Sequence, residues 1–352
     1  MARDGDPPRQ NGTPQIEENV TAQPVRGSRA LVGIALAFVS VVPSLAAQRA
    51  TTRYLPVDLV TIEDVDRDAA GRVYVIENRR NRLLVLDSTL AIVAEVPNVP
   101  SDSTAVVIAQ SAVRVLDRGR FIRLERYLQR LDVFQWRGGR VAKVHVTRFP
   151  FALYDACHVG GDTLVVVGPY RKMRLHTVLL SGRILRSFAP VDATMPKALS
   201  DWHTSGYVVC ARQQSTVAYQ SQSQPFLELF DRMTGTRAFR VDFPLSHRAV
   251  SVTYDTARQW MTVASGPAGS HAPGRPVLMG DTIEVSARLT AQGTWRDTVL
   301  VHHFARADGK YLGTRIEHQL RFPMSDGQQL VVSLDGSERA FILPARTGSR
   351  PR

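Results

Sequence analysis

No linear signature of catalysis is present in this sequence. It holds no Gly-rich phosphate loop, no zinc-type His-Glu spacing, no nucleophile elbow and no paired Cys motif. Those absences exclude the enzyme classes that carry such motifs, but not a site assembled from one residue on each of several inner strands. Lysine is nearly missing, since forty of the 44 basic residues are Arg and four are Lys. With 32 acidic residues the formal net charge is +12, a field that favours anionic surfaces. No basic run interleaved with stacking aromatics forms a nucleic-acid platform, so nucleic acid is not an expected partner. Stretches of sustained 3.6-residue periodicity are nearly absent, which excludes a helical bundle.

Long apolar runs are also lacking. The one extended run, Ala30 to Val42, falls well short of the roughly 20 residues that span a bilayer. Arg26 and Arg29 precede it, and Ser44-Leu45-Ala46 supplies the small residues a signal peptidase reads. Residues 25–47 are therefore read as a secretory signal peptide cut after Ala46 or Ala47, leaving no stable transmembrane span. Residues 1–24 are polar and without apolar periodicity, which predicts disorder; a start at Val25 gives a conventional signal. No Cys follows the apolar run, so a lipid anchor is not expected. The expected location is periplasmic or secreted.

Export sets the chemistry of the only two cysteines, Cys157 and Cys210. An oxidising compartment allows them to pair. Their similar places in successive sequence units fit a bridge, while their apolar neighbours fit two buried thiols equally well.

What is present is a series of short β-branched and aromatic runs punctuated by Gly, Asp, Asn and Ser. In the first unit, Arg72 to Ile76 follows a turn at Ala70-Gly71, and Leu83 to Leu86 follows the polar turn 78–82. The second kind of run recurs, ending at Phe134, Leu180, Phe230, Phe304 and Leu343. The spacing is roughly 40 to 50 residues, the period of radial four-stranded blades, once the Gly- and Pro-bearing segment 265–297 is set aside as an insertion. The final unit lacks an outer strand, and the stretch Tyr54 to Ile62 is expected to supply it. The pattern, clearest from Asp66 to Val75, resembles the six-bladed β-propellers of the NHL-repeat and TolB-like kind. That resemblance covers about residues 52–345 and implies an all-β, six-bladed propeller closed by an N-terminal strand, with a disordered tail at 346–352. It implies no single activity, because such propellers host lactonases, lyases and pure binding modules.

Candidate sites are few. Glu63, Asp64, Asp66 and Asp68 alternate like calcium donors, but Ala69 stands where an EF-hand loop needs Gly and Val75 where it needs Glu. Turn chemistry explains aspartates before a Gly turn. His302-His303 is the only adjacent His pair, and strand alternation sends the two rings to opposite faces. The segment Arg118 to Arg130 interleaves five Arg with apolar residues and is read as a connection or edge strand, with Arg120, Arg123 and Arg126 as possible anion contacts. These observations predict a monomeric binding or interaction module of the cell envelope, whose partner is a protein or glycan, with no cofactor. The alternative is a calcium-dependent hydrolase or lactonase resembling the gluconolactonase-like propellers, with Ca2+ as its metal.

Overall fold

The computed structural model describes residues 53–54, 62–77, 82–97, 111–126, 128–192, 194, 197–211, 215–243, 250–255, 260–265, 271–291, 294–325, 328–333 and 339–343. Segments 1–24, 25–47 and 346–352, on which the disorder, signal and tail readings fall, lie outside the described residues.

A short strand, β1 (Arg53–Tyr54), comes first. The first blade is β2 (Ile62–Arg67), β3 (Val73–Glu77), β4 (Arg82–Leu86) and β5 (Ile92–Pro97). The second is β6 (Ser111–Val115), β7 (Arg120–Glu125), β8 (Arg130–Arg137) and β9 (Arg140–Arg148). The third is β10 (Asp155–Gly160), β11 (Thr163–Tyr170), β12 (Met173–Leu179) and β13 (Ile184–Pro190). A helix, α1 (Lys197–Thr204), leads into the fourth: β14 (Gly206–Cys210), β15 (Thr216–Ser221), β16 (Phe226–Asp231) and β17 (Arg237–Asp242). A hairpin, β18 (Val250–Asp255) and β19 (Trp260–Ser265), forms a sheet of its own. Next comes a five-stranded sheet of β20 (His271–Pro273), β21 (Val277–Met279), β22 (Thr282–Ala291), β23 (Thr294–Ala305) and β24 (Tyr311–Glu317). The last blade joins β25 (Gln319–Pro323), β26 (Gln329–Ser333) and β27 (Arg339–Leu343) to β1, which pairs Arg53 with Ala340 and Tyr54 with Arg339.

Among the described residues the chain is thus an all-β propeller with five four-stranded antiparallel blades, not the six expected. The departure lies between the fourth blade and the last. There the strand nearest the start of the sheet is split into β20 and β21, both paired to β22. Gly274-Arg275-Pro276 forms the break, and Pro276 has no N–H to give a ladder. Segment 265–297, expected as an insertion, supplies β20 to β22 and the start of β23. Of the expected closing stretch Tyr54 to Ile62, Tyr54 pairs with Arg339, Ile62 opens β2 instead, and residues 55–61 lie outside the described residues.

Every recurring apolar run is the third strand of its sheet: β4, β8, β12, β16, β23 and β27. The reason is packing on both faces. Tyr74, Ile76, Leu83 and Val85 meet Val113, Val115, Phe121 and Phe134 of the second blade. On the other side Val73, Val75 and Leu84 meet Met324, Leu330 and Val332 of the last. Strand alternation gives successive side chains to the two neighbours, so the strand reads as continuously apolar. Each such side chain contributes on the order of 1.5–3 kcal/mol when fully buried. Antiparallel order places the turns after first and third strands at one end of the blades, and the turns after second strands, with the links between blades, at the other. The first end is called the hairpin face below.

Candidate functional site

First strands present a free backbone edge toward the propeller axis, and buried amides on such an edge need partners. Carboxylates supply them. Asp64 Oδ2 accepts from the Val113 amide at 2.9 Å, and Asp66 Oδ2 from the Val115 amide at 2.7 Å. Both links run from β2 to β6, two residues apart on each strand. Asp155 Oδ2 on β10 accepts from the Val208 amide on β14 at 2.8 Å. Asp66 Oδ1 reaches the other neighbour, accepting from the Ser325 amide in the last blade at 2.6 Å.

Two guanidinium groups complete the network. Arg114 on β6 is 2% exposed and donates to Asp64, to Asp155 and, through Nε, to the Ala156 carbonyl at 2.7 Å. Arg275 comes from the break between β20 and β21. Its Nη2 donates to the carbonyls of Ala156 and Val208 at 3.1 and 3.3 Å, and its Nε lies 3.7 Å from Asp155 Oδ2. Burial opposes the Arg114 charge, but Asp155 and then Asp64 outweigh it and raise its pKa. Arg275 is shifted the other way, first by burial and then by its nearness to Arg114. Burial raises the Asp64 pKa against the pull of Arg114.

This arrangement joins blades. Calcium takes about six to eight oxygen ligands, whereas Asp64 Oδ2 and the oxygens of Asp66 and Asp155 already accept from amides and guanidinium groups. Among the described residues no group of three or more His, Cys, Asp or Glu is placed to hold a metal ion. Asp64 and Asp66, read from sequence as turn residues, are axial instead. Asp68 does make the turn: it accepts from the Ala70 and Arg72 amides at 3.0 and 2.9 Å and from the Tyr74 hydroxyl at 2.9 Å, with Gly71 at φ 85°.

The remaining expected residues are dispersed. Arg120 to Glu125 form β7 in the interior of the second blade, not a connection. Arg123 is fully buried, facing Asp132 across the ladder and bridging it at 3.2 Å, so it is closed to a ligand. Arg120 is part-exposed between Asp117 at 2.6 Å and Asp162 at 2.8 Å. Arg126 lies at the opposite end over the Tyr154 ring at 4.2 Å. Cys157 on β10 and Cys210 on β14 are bonded, with Cα atoms 5.6 Å apart. His302 is buried with Nδ1 2.7 Å from Thr314 Oγ1, while His303 faces Glu284 at 3.4 Å.

On the hairpin face the tips of the first three blades enclose a cleft of about 620 Å³, lined by Arg67, Arg72, Asp117, Arg118 and His158. A second cleft of about 480 Å³ shares Asp117 and Arg118 and adds Arg120, Gln135 and Asp162. A third, of about 390 Å³, shares Val159 and Gly160 with the first and reaches Thr163, Thr177 and Arg232. Arg114, Asp155 and Arg275 were not singled out from sequence. A signal existed for two of them, because Arg114 interrupts Ala112-Val113-Arg114-Val115 and Asp155 interrupts Leu153 to Cys157, where a buried charge demands a partner.

No protein-family model matches the chain, and no curated protein is similar to it in sequence. Among solved structures the chain is similar to a member of the DUF4221 family from Bacteroides vulgatus, at 9% identity and a TM-score of 0.50, covering 83% of this chain and 94% of that one. It is also similar to virginiamycin B lyase from Staphylococcus aureus, at 9% identity and a TM-score of 0.49 over 83% and 98% of the two chains. A β-propeller domain from Myceliophteria thermophila has 8% identity and a TM-score of 0.45 over 83% and 99%. Likeness at such identity shows the fold alone.

Proposed function

We propose that the chain is an exported β-propeller acting as a binding module of the cell envelope, whose ligand meets the hairpin face. One observation carries this: Asp64 Oδ2 and the oxygens of Asp66 and Asp155 hold neighbouring amides and guanidinium groups, while the hairpin face keeps adjoining open clefts with charged walls. The Arg26 to Ala46 leader pattern supports export, and the bonded geometry of Cys157 and Cys210 suits an oxidising compartment. Among the described residues no helix is long and apolar enough to cross a membrane.

The test is retention of the exported protein on isolated cell-envelope fractions. Gln135→Trp fills the second cleft, whereas Lys197→Trp adds the same bulk on α1, at the other end of the blades. Retention is expected to fall for Gln135→Trp and to survive Lys197→Trp. Equal retention of the two variants overturns the assignment of the face, and a mature protein that still begins before Ala46 overturns export.

A further inference from the structure

We propose that the three clefts form one furrow for an anionic oligosaccharide of low charge density, a chain of sugars in which a carboxylate recurs among hydroxyl groups. This rests on the reading of the chain as a binding module and names its ligand class. Continuity of the furrow follows from the shared walls, since Asp117 and Arg118 border the first two clefts and Val159 and Gly160 border the first and third. It therefore crosses the tips of four successive blades, from Arg67 on the first to Arg232 on the fourth.

Two cations stand uncommitted along it. Arg118 is exposed at a hairpin tip and makes no hydrogen bond or ion pair among the described residues. Its backbone takes φ 54°, a left-handed conformation that favours Gly or Asn, and a non-Gly residue held there is a functional candidate. Arg232, at the far end, has a buried Nε without a partner, and its side chain pairs with no described carboxylate. Such guanidinium groups bind carboxylates through paired, charge-assisted hydrogen bonds.

The walls between those cations decide the class. Asp117 and Asp162 flank Arg120, and the Arg120 hydrogen bond pulls the Asp117 carboxyl below its ordinary range, so it stays an ionised acceptor. Interleaved carboxylates repel a densely charged polyanion but accept from sugar hydroxyls. Thr163, Thr177 and Gln135 add neutral polar groups of the kind that hydroxyls need. A peptide is the weaker fit, because the described residues of this face form closed turns and offer no free strand edge against which an extended backbone could pair.

The experiment uses calorimetry on the mature protein with four probes: tetragalacturonate, neutral maltotetraose, a heparin tetrasaccharide and tetraglutamate. Tetragalacturonate is expected to bind, more weakly as salt rises, and maltotetraose is not. Arg118→Ser and Arg232→Ser should each weaken binding about tenfold, the scale of one hydrogen bond to a charged group. Arg118→Lys should recover part of that loss. Silence toward tetragalacturonate, tighter binding of the heparin probe, or variants that bind like wild type would overturn the proposal. Tetraglutamate binding that Gln135→Trp abolishes, with tetragalacturonate silent, overturns the glycan class and leaves the binding face standing.

Discussion

At the axis Arg114 is 2% exposed and bridges Asp64 and Asp155, whereas Arg118, four residues further on and past the end of β6, is exposed and pairs with nothing among the described residues. The two arginines belong to one short stretch and have opposite fates. Inside, a guanidinium persists only if carboxylates and carbonyls offset its desolvation, and all three nitrogens of Arg114 are committed to the scaffold. At the hairpin tip water solvates the charge, and the same group remains available. Residue type alone therefore does not mark a site here; commitment of its donors does.

The largest way to break this comparison is to strip the axis. Asp155→Ala leaves Arg114 and Arg275 short of a counter-charge and orphans the Val208 amide. Such uncompensated burial costs about 3–5 kcal/mol, read as a lower urea midpoint at unchanged slope. Adding Arg114→Met removes one of the stranded charges and should recover part of the loss. Strictly additive losses in the double variant would show that the two residues do not act as a pair.

The disulfide comes next. Cys157 and Cys210 are 53 residues apart, and Asp155 and Val208 lie two residues before them on the same strands. Chain entropy alone gives such a loop about 4 kcal/mol, so Cys157→Ser/Cys210→Ser should lower the unfolding midpoint strongly. Because the bridge holds β10 against β14, the Val208 amide should also exchange its proton faster. Unchanged exchange at Val208 would separate the bridge from the axial network.

How much of this was legible follows from the range of each signal. The third strands showed themselves because both their faces are buried, which makes Leu83 to Leu86 an unbroken apolar run and leaves Glu228 as the one polar residue between Leu227 and Phe230. Their spacing carried the propeller. The blade count was lost where Gly274-Arg275-Pro276 breaks a strand, since Gly and Pro read as loop when the partner β22 is unknown. Arg123 was misplaced for a related reason: its partner Asp132 is across the ladder, and cross-strand pairing does not appear in linear order. The axial site needed the first strands of four blades and the break between β20 and β21 to converge, and nothing local encodes that. Asp68, whose partners lie within six residues, was readable from the start.

His176 sharpens the contrast through pH. It is fully buried, with Nε2 2.8 Å from the Gly168 carbonyl and Nδ1 2.8 Å from Ser187 Oγ. The carbonyl requires the proton on Nε2, leaving Nδ1 to accept from the serine. Burial pushes its pKa down to about 4, against an unfolded value of about 6.5. The native state thus excludes a proton that the unfolded chain binds. This contribution is complete above about pH 6.5 and is lost as pH falls toward 4, reaching roughly 3 kcal/mol at its limit. His176→Gln should flatten the stability profile across that window; a variant with the wild-type acid slope would assign the loss to other groups.

The smallest effect belongs to the hairpin face, and its smallness is the point. Arg118→Ser and Arg232→Ser remove charges that hold nothing in the described structure, so thermal unfolding should shift by no more than about 0.5 kcal/mol in either direction. Arg120→Ser is the internal control on the same wall, because it breaks bridges to Asp117 and Asp162 that are part-exposed and worth only about 0–1 kcal/mol. An axial substitution should exceed all three severalfold. If Arg118→Ser instead destabilises the fold as Asp155→Ala does, Arg118 belongs to the scaffold, and the division between committed and available arginines fails where the furrow needs it.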